Sequence, residues 1–281
     1  MKSIFTIIEK RYSVRNYNSK EIEKDKLQRL EAQLEHNKKG PLGSDLRFKI
    51  IDAKGYDQAE LKKLGTYGLI KGARIFIAGA VKNSETAMED FGYCMEKNIL
   101  AATGLGLGTC WLGGSLNRST FAQKLNAETD EIVPAVTPIG YTGEKRTFTE
   151  NLIRMAAGSK NRKKPEELFF DKSVDVPLSP NSCGQYSKIL AAVRLAPSAS
   201  NKQPWRIMMD KGNTYHFYMK ENPAYNNIIK GIKIQNIDMG IAMCHFDLAA
   251  AELGLNGNWE IRNPSPESGE LKYIVSWVQS V

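Results

Sequence analysis

Two short segments carry side chains whose types and spacing suit chemistry. Across Lys10, Arg11, Tyr12, Ser13, Val14, Arg15, Asn16 and Tyr17, two guanidiniums and a hydroxyl occupy alternate positions of a stretch without helical periodicity. Alternate side chains of an extended chain point the same way, so Arg11, Ser13 and Arg15 can converge on one anion. The planar fork of arginine suits this task because it donates two parallel hydrogen bonds to phosphate. The plainer alternative is a basic segment facing solvent, where charge runs usually lie. The second segment is Ala196, Pro197, Ser198, Ala199, Ser200, Asn201, Lys202, Gln203, Pro204 and Trp205. This polar loop closes an apolar helix and can present backbone N–H and C=O groups to a planar heterocycle. Its plainer alternative is a proline-punctuated turn into a strand.

The elements that must position these segments follow from periodicity. Residues 3–10 read as a short amphipathic helix with Ile4, Ile7 and Ile8 on one face. Leu27, Leu30 and Leu34 repeat at helical spacing within residues 23–37, and Gly40 and Pro41 mark a break after them. Strands are expected at 48–51 and 74–81, and a short helix at 119–125. Residues 132–141 read as one buried strand. The second half opens with a helix over 185–195. A hairpin pairs 206–209 with 214–219 around Lys211, Gly212 and Asn213, and a strand covers 271–278. Long helices mixed with antiparallel strands, without regular β-α-β alternation, predict an α+β fold.

Between these elements one helix is written twice. Asp90, Gly92, Met95, Leu100, Ala101, Ala102, Leu105, Gly106 and Leu107 recur as Asp238, Gly240, Met243, Leu248, Ala249, Ala250, Leu253, Gly254 and Leu255, and Trp111 and Trp259 follow in register. Two copies so far apart predict a fused pair of related halves and not a solenoid of short repeats. The expected division is 1–165 and 166–281, with the charged, Pro- and Ser-rich residues 143–182 as the connection. Gly104, Gly106 and Gly108 end a helix, whereas a dinucleotide fingerprint must open one, so no such site is expected.

Totals narrow the classes further. The 281 residues are 42% hydrophobic and 25% charged, as in an ordinary globular protein. No apolar run approaches a membrane span and the N-terminus lacks a signal-peptide pattern, so a cytoplasmic protein without membrane partners is expected. The net charge of +8 is interleaved with Glu and Asp, which argues against nucleic acid and leaves room for a small anionic ligand. Cys94, Cys110, Cys183 and Cys244 form no C-x-x-C pair, and no metal site is expected. His36, His216 and His245 are expected to be structural.

Residues 11–15 together with 196–205 resemble the FMN-dependent nitroreductase family. Residues 107–114 resemble the family's segment running past flavin N5, and residues 160–165 its late Lys-x-Arg segment at the FMN phosphate. The resemblance implies a nitroreductase-like fold, FMN as cofactor and NAD(P)H as electron donor. It further implies that Arg11, Arg15, Lys160 and Arg162 neutralise the phosphate, with Ser13 on phosphate or ribityl oxygens and Tyr12 in the same segment. Pro197, Ser198, Ala199, Asn201 and Gln203 would line the ring and ribityl chain, and the backbone of Leu112, Gly113 and Gly114 would face N5. No side chain is assigned a catalytic role, since the flavin carries the chemistry.

Family members are usually homodimers in which one subunit supplies the arginine segment and its partner the Pro-Ser loop. Here the first half has Gly40, Pro41, Leu42, Gly43, Ser44 and Asp45 where that loop should be. The second half has the loop but no arginine-rich start. The resemblance therefore implies an intramolecular pseudo-dimer that retains one site, compatible with a monomer. The implied activity is electron transfer from NAD(P)H to a nitroaromatic, quinone or similar small acceptor. The alternatives are flavin fragmentation or reductive dehalogenation on the same fold, and a flavin-binding protein without turnover.

Overall fold

The computed structural model describes residues 2–55, 70–113, 117–143, 161–179, 181–226, 231–262, 264 and 270–280. The chain divides into two compact units, Lys10–Ala157 and a second made of Met1–Glu9 with Gly158–Val281. The expected boundary at 165 thus lies inside the second unit. The opening helix α1 (Ile4–Lys10) also begins there, its Ile4 N–H donating to the Glu252 carboxylate at 3.4 Å.

The Lys10–Ala157 unit follows from one fully apolar strand. Helix α2 (Lys24–His36) leads through a loop into β1 (Leu46–Asp52), which pairs antiparallel with β2 (Ile75–Lys82). Seven of the eight β2 residues are buried, as expected for a strand covered on both faces. Gly79 is required within it, because a Cβ there would lie 2.4 Å from the Phe48 ring on β1. Helix α3 (Ala87–Gly104), the first repeated helix, is buried around most of its circumference. Beyond it come β3 (Gly108–Thr109), α4 (Arg118–Leu125), β4 (Glu131–Ile132) and β5 (Val136–Gly140). The strand order is β1-β2-β5-β3, with β4 also on β2. The single strand expected over 132–141 is thus two, interrupted at Val133, Pro134 and Ala135, where the proline has no N–H to give a ladder.

The other unit repeats the plan with a larger sheet. Its first strands, β6 (Phe169–Asp171) and β7 (Ser173–Pro177), lie in the stretch read as connection, so that expectation is corrected. Both are too short for a period to register. Helix α5 (Tyr186–Arg194) precedes β8 (Trp205–Asp210) and β9 (Thr214–Lys220), which form the expected hairpin. Gly212 and Asn213 adopt positive φ in its turn, and Asp210 accepts the Lys211 N–H at 2.7 Å. Helix α6 (Ile234–Glu252), the second repeated helix, is followed by β10 (Gly257–Glu260) and β11 (Leu271–Gln279). The order is β10-β11-β9-β8-β6-β7. The β6–β8 pair is parallel, and antiparallel pairing dominates both sheets as expected. Phe246 of α6 packs on Tyr186, Tyr215, Phe217, Trp259 and Trp277 with ring centroids 5.1–6.3 Å away. Such contacts add to plain area burial.

Both units share one device. Asp90 of α3 accepts the backbone N–H of Leu42 at 2.8 Å and of Ser44 at 2.9 Å. Asp238, its counterpart on α6, accepts the Ala199 N–H at 3.0 and 3.2 Å. In each unit the repeated aspartate therefore anchors the loop that leads into the first of two consecutive antiparallel strands. The approach is closest at Gly40, where a Cβ would lie 2.1 Å from Asp90 Cγ. Gly40→Ala is expected to cost about 1–3 kcal/mol in urea unfolding by overpacking. At Gly113 a Cβ would sit 3.8 Å from Ala135 Cβ and the Pro134 oxygen. Gly113→Ala should therefore stay within about 0.5 kcal/mol of the parent. Equal losses at both positions would contradict this packing.

Candidate functional site

In the Lys10–Ala157 unit, residues 13–17 run extended along the sheet. Ser13 bridges Thr109 in parallel, with the Val14 N–H donating to the Thr109 oxygen at 2.8 Å. Asn16 bridges Lys71, and Tyr17 bridges Thr142. Val14 turns inward, where a Cβ on Gly108 would come within 2.7 Å of its methyl. Alternation along an extended chain then puts Ser13 and Arg15 on the opposite side of the backbone from Val14. Tyr12 is exposed.

Arg11 behaves unlike a solvent-facing cation. Its side chain is only 7% exposed, and Nε lies 3.8 Å from Oε1 of Glu96, itself sealed inside α3. Neither Nε nor Nη1 has a hydrogen-bond partner among the described residues. The other Glu96 oxygen, Oε2, accepts the Trp111 indole N–H at 2.7 Å. From Trp111 the chain enters the glycine-rich segment, where Leu112 and Val136 exchange backbone hydrogen bonds at 2.9 Å. Gly113 gives its carbonyl to Arg118, which also reaches the Pro134 oxygen at 3.3 Å. Burial depresses the Arg118 guanidinium pKa. Arg11, Ser13, Leu112 and Gly113 are thus tied together through Thr109, Glu96 and Trp111. Gly114 lies outside the described residues.

The second set converges in the other unit. Arg162 donates to the carbonyls of Ala196 at 2.7 Å and Leu195 at 3.0 Å, satisfying the C-terminal end of α5. Arg194 returns the contact, donating to the Lys163 oxygen at 2.6 Å. Asn201 donates to the Asn161 oxygen at 2.9 Å, and the Lys163 N–H reaches the Gln203 side chain at 3.2 Å. The late Lys-x-Arg segment and the Pro197–Gln203 loop therefore form one assembly, although Lys160 itself lies outside the described residues. Ser200, Asn201 and Gln203 all have positive φ, which is unfavourable for side-chain-bearing residues and clusters at functional loops. Ser198 holds the turn by accepting the Gln203 N–H at 2.9 Å. Gln203 is buried and donates to the Asn201 oxygen at 3.1 Å, so its amide shapes the loop from within.

Three residues at these sites escaped sequence reasoning: Glu96, Arg118 and, as a loop anchor, Asp238. Asp238 was visible as part of the repeat, but nothing in the sequence named its partner. The histidines have local partners: His36 with the Ala32 oxygen, His216 with Ser276 and His245 with the Ala192 oxygen. All four cysteines are buried, and burial pushes the Cys94 thiol up to about 12. Among the described residues there is no cluster of potential metal ligands, and no helix is long and apolar enough to cross a membrane.

Burial pushes the Asp238 carboxyl well above the usual carboxylate range, while the Ala199 hydrogen bond acts in the other direction. A carboxyl that holds its proton more tightly when folded contributes stability below its unfolded pKa of about 4, and that contribution is lost as pH rises toward the folded value. Asp238→Asn keeps an oxygen for Ala199 and removes the titration. Between pH 4 and pH 8 the variant should lose less unfolding free energy than the parent, by up to ~1.4 kcal/mol per pH unit over the shifted range. Parallel pH profiles in urea unfolding would contradict the assignment.

A family model described as "Putative TM nitroreductase" matches residues 3–250. The crystal structure of "a putative nitroreductase" from Thermotoga maritima is 21% identical, covers 99% of this chain and 94% of its own, and superposes with a TM-score of 0.61. A nitroreductase with bound FMN from Desulfitobacterium hafniense is 19% identical over 52% of this chain and 92% of its own, with a TM-score of 0.41. An FMN-dependent nitroreductase from Clostridium difficile is 22% identical over 50% and 88%, with a TM-score of 0.39. No curated protein matches. The full-length likeness to the Thermotoga structure gives the nitroreductase fold, and the family match over most of the sequence establishes that this chain belongs to the TM nitroreductase family.

Proposed function

We propose that the protein binds FMN and is an NAD(P)H oxidoreductase that reduces a nitroaromatic, quinone or similar small acceptor. The observation that carries this reading is Arg11: a buried guanidinium with two nitrogens lacking acceptors among the described residues fits a phosphate. FMN, when bound, supplies the two-electron chemistry at N5, and the protein supplies binding, orientation and electrostatics.

Arg11 and Arg15 would hold the phosphate, with Ser13 and Tyr12 beside them. Arg162 acts from its place under the Pro197–Gln203 loop, holding Leu195 and Ala196 so that the loop keeps its form. Pro197, Ser198, Ala199 and Asn201 would line the ring and ribityl chain, with Gln203 bracing the loop. The backbone of Leu112, Gly113 and Gly114 would face the N5 edge. Gly113 supports this role because the protein's own packing does not require a glycine there: a Cβ would make only ordinary contacts. A donor N–H near N5 favours charge developing there. One FMN per chain is expected.

Purified protein should be yellow, or take up one equivalent of added FMN, and NADH or NADPH should bleach it under nitrogen. Arg11→Ala removes charge-assisted hydrogen bonds of roughly 1.5–3 kcal/mol each, so the FMN dissociation constant should rise by about 100-fold or more. Unchanged FMN occupancy in this variant would refute the phosphate assignment. A yellow protein that neither nucleotide bleaches would leave flavin binding without turnover.

A further inference from the structure

We infer that Glu96 is a positioning residue whose buried carboxylate holds the Arg11 guanidinium and the Trp111 indole together, keeping Arg11 ready for the FMN phosphate. The inference rests on the reading of Arg11 given above and concerns a residue outside the set that touches the cofactor.

The geometry is a divided carboxylate. Oε2 accepts the Trp111 N–H at 2.7 Å, while Oε1 stands 3.8 Å from Arg11 Nε. That separation exceeds a hydrogen bond but retains charge attraction between two buried side chains. A two-pronged Arg–carboxylate pair would have used the guanidinium donors. Here Nε and Nη1 stay without acceptors among the described residues. Charge attraction draws Arg11 toward Glu96 without spending Nε or Nη1 on a hydrogen bond.

The duplicated helix supplies an internal control. The position of Glu96 in the second copy is Cys244, equally buried in α6. That half has no arginine-rich start. Trp259, the register mate of Trp111, keeps its Nε1 buried without a hydrogen-bond partner among the described residues. A helix of this kind therefore folds with a small apolar side chain at the position. Glu96 appears where an arginine must be held, and a buried ion pair is weak evidence of a stabilising role on its own.

The carboxylate could instead repel the phosphate, and the two effects have opposite signs. The test is a double-mutant cycle on the full chain: parent, Glu96→Gln, Arg11→Ala and both together, with FMN affinity of the apoprotein read by flavin fluorescence up to millimolar FMN. Glu96→Gln should weaken binding about tenfold when Arg11 is present and less than twofold when it is absent, the coupling expected of contacting residues. Equal losses in both backgrounds would mean a merely structural role and overturn the inference. So would unchanged or tighter binding in Glu96→Gln, while a large loss in Arg11→Ala leaves the reading of Arg11 standing. A parent protein that takes up no FMN overturns both. If Glu96→Gln does not fold, Glu96→Asp retains the charge but withdraws it, and should show a smaller loss that again vanishes without Arg11.

Discussion

Carboxylates buried on helices that are otherwise apolar organise this protein. Asp90, Glu96 and Asp238 lie within the most enclosed stretches of α3 and α6. A charge or polar group taken out of water must find partners nearby, because an unmatched one costs several kcal/mol. Backbone N–H groups answer Asp90 and Asp238, so a loop must come down onto each helix. An indole and a guanidinium answer Glu96, so two further segments must meet there. The helices thus act as templates on which the irregular parts of the chain are laid.

Much of the scaffold was legible because its periods are long and its punctuation strong. The apolar run of β2, the repeated helix and the hairpin turned by Gly212 and Asn213 each carry a signal several residues long. What failed to register was short or broken. Phe169 and Phe170 give β6 only a pair of apolar residues, and its parallel pairing with β8 is set by tertiary contact. Trp259 sits in a four-residue strand opposite Trp277, and only the pairing explains it. Pro134 divides a stretch whose composition alone looks continuous.

The site was legible in its residue types and less so in their arrangement. Within residues 11–15 the extended backbone expected from the alternation is present, and Val14 turns inward. Arg162 and Gln203 illustrate the limit. Sequence marks both as polar and suited to a ligand, yet the carbonyls at the end of α5 engage the first and the interior of its own loop engages the second. Long-range partners such as Glu96 for Arg11 depend on how helix and edge segment meet, which no local pattern records.

The loop beside α5 adopts three positive-φ residues without a single glycine. Ser198 and Gln203 hold its form from within, and a carboxylate beneath it and a strip of backbone alongside hold it from outside. Transplanting the decapeptide 196–205 into a foreign scaffold would therefore carry over its chemistry but only part of what fixes its shape. The portable unit is the loop together with Asp238 and residues 161–163.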